Sequence, residues 1–420
     1  MAEPKLSELA ETLIGSEIVK LGGIIKEKIS KGEQIYNYTI GDFDSSEFPI
    51  PKLLREEIKK AYDEGYTTYP IADGEADLRK AVAGFLKNKQ NLDIDISEIL
   101  IAAGGRPLIY AAFRAIVDKG DKVIYPVPSW NNNHYTHFTE GEHVKIETLQ
   151  ENNFMPTADQ IGMHLEGATL IALCSPLNPT GTVFKKQDLL NICDLIIAEN
   201  EKRNEGEKKL YLLYDQIYCT LTFGDTQHFN PITLRPKMKE YTVFIDGISK
   251  AFAATGVRVG WSFGPKHLIA KMKAINSHVG AWAPMAEQKA VAKFLVQQEV
   301  VDTYFLNFKK EIDFRLRSIY DGFIALKNDG FAVDAIYPQA AIYLTVKIDL
   351  VGKSYNELKL ENQSDVTEYI LNEAKLAMVP FSSFGAKADS SWYRISVGCV
   401  KKGDIKDVLI NLKTALKKLE

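Results

Sequence analysis

The sequence predicts an α/β protein, a mostly parallel sheet covered by helices, with a smaller α+β unit after residue 300. Three features carry that expectation. From residue 98 onward short β-rich runs alternate with helical patterns; most of those runs are continuous apolar stretches; and past residue 300 the alternation gives way to one long helical stretch and shorter mixed segments. Continuous runs of this length suit strands buried on both faces, since each face then meets a layer of helices.

In chain order the runs are "EILIAAG", "DKVIYPV", "HVKIETL", "ATLIALCSP", "KLYLLYD", "TVFIDGIS" and "VGWSFG". Between them, "RPLIYAAFRAIVDKG" and "KKQDLLNICDLIIAEN" have helical periodicity, and Gly120 is the expected C-cap of the first. Past residue 300, "VVDTYFLNFKKEIDFRLRSIYDGFIALKNDG" reads as one helix ending near Gly330. The runs "FAVDAI", "AIYLTVKI" and "WYRISVG" follow, with helices between them and at the end. No internal repeat or low-complexity segment interrupts the pattern.

With 420 residues, 45% hydrophobic and 25% charged, the chain has ordinary globular composition and length enough for two domains. A net charge of -4, with basic clusters such as "IKKA" and "LKKLE" set among acids and apolar residues, offers no electrostatic footprint for nucleic acid. Cys174, Cys193, Cys219 and Cys399 lie far apart and form no metal-like cluster, which suits a reducing compartment. "MAEPKLSELAETLIG" lacks the basic-then-apolar order of a signal peptide, and even "LLNICDLIIAEN" is broken by Asp194. The expectation is a soluble, cytoplasmic protein without a metal site.

The chemistry begins at "DGISKAFAATGVRVGW". Lys250 follows a buried strand, where desolvation lowers an ammonium toward a nucleophilic amine able to form a Schiff base; a snorkelling lysine would also sit there. Arg258, flanked by glycines in "TGVRVG", suits a bidentate grip on phosphate, or a surface turn. In "SPLNPTG" two prolines and a glycine hold Asn178 after another strand. In "YDQIY" Asp215 ends a strand and needs either a cation or a role as a helix cap, with Tyr218 three residues on. "AAGGRPLIYAAF" is a strand, a glycine pair and a helix start, a place for a phosphate.

Together these motifs resemble the class I/II aminotransferases, pyridoxal phosphate enzymes of fold type I. The "NPTG", the "D-x-x-Y" and the "S-K" followed by "G-x-R-x-G" stand in that family's order, and the resemblance runs from about Tyr38 to Val400. It implies a large domain with a mostly parallel seven-stranded sheet at residues 49–300. It also implies a small α+β domain at 301–420, to which an N-terminal segment, 1–48, contributes.

The resemblance further implies pyridoxal 5'-phosphate as cofactor, with Lys250 as the Schiff-base lysine and proton shuttle. Asp215 would pair with the pyridine nitrogen and keep it protonated, so that the ring draws electrons. Asn178 and Tyr218 would bond the ring's phenolic oxygen, and Trp130, in "PVPSWNNNHY", would stack on the ring. Gly105 and Arg106 through backbone N–H groups, Arg258 and Ser249 would hold the phosphate. Tyr69 would reach that phosphate from a neighbouring subunit, which makes the expected assembly a homodimer with composite sites. Arg394, in "SWYRISVG", would clamp the substrate α-carboxylate, and Gly41, in "YTIGDFD", would meet the substrate through its backbone.

The chain departs from the family at "VPFSSFG", where Phe381 takes a glycine position beside the entrance, and at "PQAAIYL". No second arginine or lysine for a dicarboxylate side chain is legible. The expected reaction moves the amino group of an L-amino acid to a 2-oxo acid in ping-pong half-reactions. A carbon–sulfur lyase or another eliminating enzyme of the same fold is the rival, and a cofactor-sensing regulator would need a basic DNA-binding domain that the chain has no room for before Tyr38.

Overall fold

The computed structural model describes residues 5–15 and 17–420; residues 1–4 and 16 of the expected N-terminal segment lie outside them. All seven predicted runs form strands of one sheet: β1 (Ile99–Ala102), β2 (Lys122–Val127), β3 (Glu142–Glu147), β4 (Ala168–Cys174), β5 (Tyr211–Asp215), β6 (Thr242–Gly247) and β7 (Gly260–Phe263). Their spatial order is β1-β7-β6-β5-β4-β2-β3. Only β7 runs against its neighbours, pairing antiparallel with β1 and β6, while the other pairings are parallel.

Alternate side chains of each strand feed different layers. Ile99, Ile101, Ile171, Leu212 and Phe244 join a core with Leu78, Val82, Phe85, Leu189, Ile192 and Val291, from helices 76–90, 186–202 and 285–295. Leu100, Ala102, Leu170, Leu213 and Val243 join a second core with Leu108, Phe113, Leu268 and Met272, from helices 105–116 and 266–279. The apolar runs are therefore continuous because both faces are covered. On the edge, β3 instead shows exposed charged residues, which blunts an otherwise open row of backbone groups.

The first helix departs from the expectation. It spans Gly105–Ile116, and Val117 already has extended backbone angles. Gly120, with φ of 84°, serves the turn into β2 instead, its N–H donating to Glu140 O.

After residue 297 one helix, Gln298–Asn328, crosses from one core to another: Val301 and Phe305 pack in the first, Phe308 to Leu326 in a cluster with the C-terminal strands. Those strands, β8 (Val333–Ala335), β9 (Tyr343–Ile348), β10 (Val379–Pro380) and β11 (Trp392–Ser396), form an antiparallel sheet in the order β10-β11-β9-β8. Near the N-terminus, Tyr36–Asn37 pairs with Leu376–Ala377, and Tyr36, Tyr38 and Phe48 are buried in the same cluster. Among the described residues, no helix is long and apolar enough to cross a membrane.

Candidate active site

The carboxyl ends of parallel strands open onto one crevice, because each chain segment must turn there before its helix begins. A cavity of about 640 Å³ lies at that edge. Asp215 ends β5, Lys250 sits just after β6, and Asn178 follows β4; Arg394 reaches in from β11 of the other sheet.

Lys250 follows Gly247 in a single helical turn, Ile248–Ala251, and its Nζ donates to Gly41 O. Enclosure by protein lowers its ammonium to about 8, against an opposing pull from Asp42. The Asp42 carboxylate is itself held by Thr255 Oγ1, at 2.6 Å, and by the Phe43 N–H.

Asp215 meets neither a cation nor a helix start among the described residues. Its Oδ1 accepts the Ile217 N–H at 3.0 Å, a local turn contact, yet no ion pair forms on it among the described residues. Enclosure without a cation pushes its carboxyl up to about 6. Behind it, Asp246 of β6 accepts from the Gly247 N–H and from Gln216 Nε2; burial pushes that carboxyl up to about 7.

Arg394 is 2% exposed. Its Nη1 donates to Asn178 Oδ1 at 3.1 Å and its Nη2 to Thr39 O at 2.7 Å, while Nε is buried with no partner. Two of five N–H groups are thus used, and three remain for an incoming carboxylate. The rings of Tyr343 and Phe384 lie 4.7 and 4.8 Å from its guanidinium carbon.

The N-terminus of helix 105–116 and Arg258 meet at another corner. Gly104, with φ of 87°, leads into that helix, and a Cβ there would stand 2.3 Å from the Arg258 guanidinium, so only glycine admits the approach. Arg258 is oriented by Thr255 O and Ala103 O, and buried Ser249 lines the same cavity. Backbone N–H groups of Gly105 and Arg106 at a helix start, a hydroxyl and a guanidinium make a site for a phosphate dianion.

The structure therefore gathers Gly41, Gly105, Arg106, Trp130, Asn178, Asp215, Tyr218, Ser249, Lys250, Arg258 and Arg394 around one cavity. Tyr69 is not among them: it is 85% exposed and packs edge-on against Trp282. Three positions read differently from the sequence. Phe381 is fully buried in a cluster with Phe154 and Trp392 rather than standing at the entrance. A further cation does line the cavity, because the Arg106 side chain turns to lie 4.7 Å over the Trp130 ring. Tyr343, in the stretch noted only as a departure, also lines the wall.

A three-layer α/β/α fold that gathers a lysine, an uncompensated acid, a partly unused arginine and a helix start beside a second arginine in one cavity defines an enzyme site able to receive anionic groups. The comparisons agree. The family model for aminotransferase class I and II matches residues 34–411. A "probable aspartate/prephenate aminotransferase" of Rickettsia felis is 30% identical over 83% of this chain and 82% of its own. The aspartate aminotransferase of Geobacillus stearothermophilus is 28% identical over 91% and 92%. Among solved structures, the aspartate aminotransferase of Thermus thermophilus with maleate superposes with a TM-score of 0.87 at 25% identity, over 99% of this chain and 100% of that one. The chain belongs to the aminotransferase class I and II family.

Proposed function

We propose that this aminotransferase uses pyridoxal 5'-phosphate and takes a dicarboxylic L-amino acid as donor. The observation that carries the cofactor is the convergence of Lys250, Asp215 and the Arg258 corner on one cavity. The residues fit the group: Asp215 is enclosed without a cation, and the Gly104 turn brings Arg258 against a helix start. Gly105, Arg106, Ser249 and Arg258 would hold the phosphate, Asp215 the ring nitrogen, Asn178 and Tyr218 the ring oxygen, and Trp130 a ring face. When bound, the cofactor supplies an electron sink for the pair left when the substrate α-proton departs.

The chain's residues do the rest. Arg394 orients the α-carboxylate with its remaining N–H groups. Lys250, with its ammonium lowered to about 8, holds a minor free-amine fraction at neutral pH, far above that of an ordinary lysine, and is placed to take and return the α-proton. Arg106 supplies positive charge for a second carboxylate, and the names of the relatives above support that substrate class.

The test is the loaded protein with aspartate or glutamate and no oxo acid. One equivalent of 2-oxo acid per chain, then arrest, is expected; continued ammonia release would show the eliminating enzyme instead. Arg106→Leu should lower kcat/KM for the dicarboxylic donor about 10- to 100-fold, as for a lost hydrogen-bonded charge pair, and barely change it for an apolar donor. Equal losses on both would remove Arg106 from substrate recognition.

We also propose a homodimer in which Tyr69 serves the neighbour's phosphate. Its exposure supports this, as does that of Ile71 and Val279, at 55% and 60%. Tyr69→Phe should weaken cofactor retention by about 1.5–3 kcal/mol. Mixing it with Lys250→Ala chains should yield dimers with one site carrying both lesions and one carrying neither, so an active fraction of wild-type affinity appears. Subunit exchange without such a fraction would place Tyr69 outside the site. The pairing of Tyr36–Asn37 with Leu376–Ala377 supports grouping residues 1–48 with 301–420 as the small domain around a large one at 49–300.

A further inference from the structure

Tyr343 opens β9 and is 1% exposed, yet it touches three parts of the site at once. Its hydroxyl lies 2.6 Å from that of Tyr218, the two rings meeting edge-on. Its ring lies 4.7 Å from the Arg394 guanidinium carbon. Its hydroxyl also stands against Gly41, where a Cβ would come within 2.9 Å, and Gly41 O is the acceptor for Lys250. The backbone is wedged as well, since a Cβ on Gly181 would stand 2.2 Å from Tyr343 O.

A pair of neutral phenols has two protons and room for one between the oxygens. Burial raises both phenols, so neither ionises near neutrality. Arg394 draws on both phenols, and its place over the Tyr343 ring makes it a larger influence there than on Tyr218, which favours the Tyr343 hydroxyl as the donor. With Tyr343 donating, the Tyr218 proton is left to point into the cavity, and a donor that itself accepts a hydrogen bond donates more strongly. The opposite arrangement would consume the Tyr218 proton within the wall.

We propose that Tyr343 is a positioning residue with two separable parts: its hydroxyl donates to Tyr218 and aims that proton at the cavity, and its ring face holds the plane of Arg394 for the α-carboxylate. This rests on the cofactor reading above, in which Tyr218 faces the ring oxygen. The nitrogen of Lys250 then senses the hydroxyl and not the ring, because a weaker donor at Tyr218 leaves more negative charge near that nitrogen and lets it keep its proton to higher pH.

Tyr343→Phe removes the hydroxyl alone, and Tyr343→Leu removes hydroxyl and ring. In Tyr343→Phe the pH midpoint of the Lys250 nitrogen, followed by visible absorbance of the cofactor-loaded protein without substrate, should rise by about half a unit. KM for the amino donor should stay within about twofold, as the ring remains over Arg394. Tyr343→Leu should show the same midpoint shift together with a KM raised about fivefold. An unchanged midpoint in Tyr343→Phe, or an equal rise of KM in both variants, overturns the proposal. If the wild-type protein gains no visible absorbance on loading, the cofactor reading itself fails, which is a separate result.

Discussion

Lys250→Ala should remain folded and lose at least about 10⁴-fold in transamination, because one side chain supplies both the covalent anchor and the proton carrier. Lys250 is the lysine among the cavity-lining residues, and enclosure has already lowered its ammonium to about 8, so no neighbouring amine stands ready to replace it. Borohydride should fix the cofactor to the wild-type chain at the peptide containing Lys250 and leave the variant unlabelled. Added small primary amines should restore part of the rate to Lys250→Ala, since they return the missing base without the tether. Label on another lysine, or a variant that turns over near the wild-type rate, would remove Lys250 from the mechanism.

Asp215→Ala should lose about 10²- to 10³-fold in kcat, the scale seen when one preorganised electrostatic partner is removed. Its effect on the cofactor-free protein should have the opposite sign. Asp215 is an enclosed carboxyl pushed up from 3.8 to about 6, so between those values the folded chain binds more protons than the unfolded one. Wild-type stability therefore falls as pH rises through that window, and the fall is absent in the variant. The melting temperature of Asp215→Ala relative to wild type should climb from pH 4 to pH 6 and then level off. A variant that keeps full activity would make Asp215 only the turn contact it also makes with Ile217.

What the sequence disclosed follows the range of the interactions. Strand burial on both faces writes itself into contiguous residues, so the central strands of the large sheet were legible, whereas the exposed edge at 142–147 was legible only as a short β-rich run. Gly120 shows the limit of a local signal: a glycine with positive φ marks a turn, but whether it caps a helix or starts a strand depends on the Glu140 carbonyl that receives its N–H. The site motifs were legible through their order along the chain, which carried the family resemblance. Tyr343 and the side chain of Arg106 were not. Tyr343 meets Tyr218 across 125 residues, and Arg394 meets Asn178 across 216. No local pattern announces such contacts. Phe381 was misplaced for the same reason, since its ring partner Phe154 comes from a distant segment.

The charges lining the cavity differ in sign from the protein as a whole. Arg106, Lys250, Arg258 and Arg394 face Asp42 and Asp215, four cations to two acids, inside a chain whose net charge is -4. An anionic cofactor approaching the ligand-free chain therefore meets a weakly repulsive exterior before an attractive interior. Mobile ions screen exposed charges over roughly 8 Å at physiological ionic strength and reach enclosed ones far less. Moderate salt thus quiets the outer repulsion first and leaves the inner attraction to focus the approach, so capture of a phosphate-bearing cofactor by the ligand-free chain should be fastest at intermediate ionic strength rather than in the most dilute buffer.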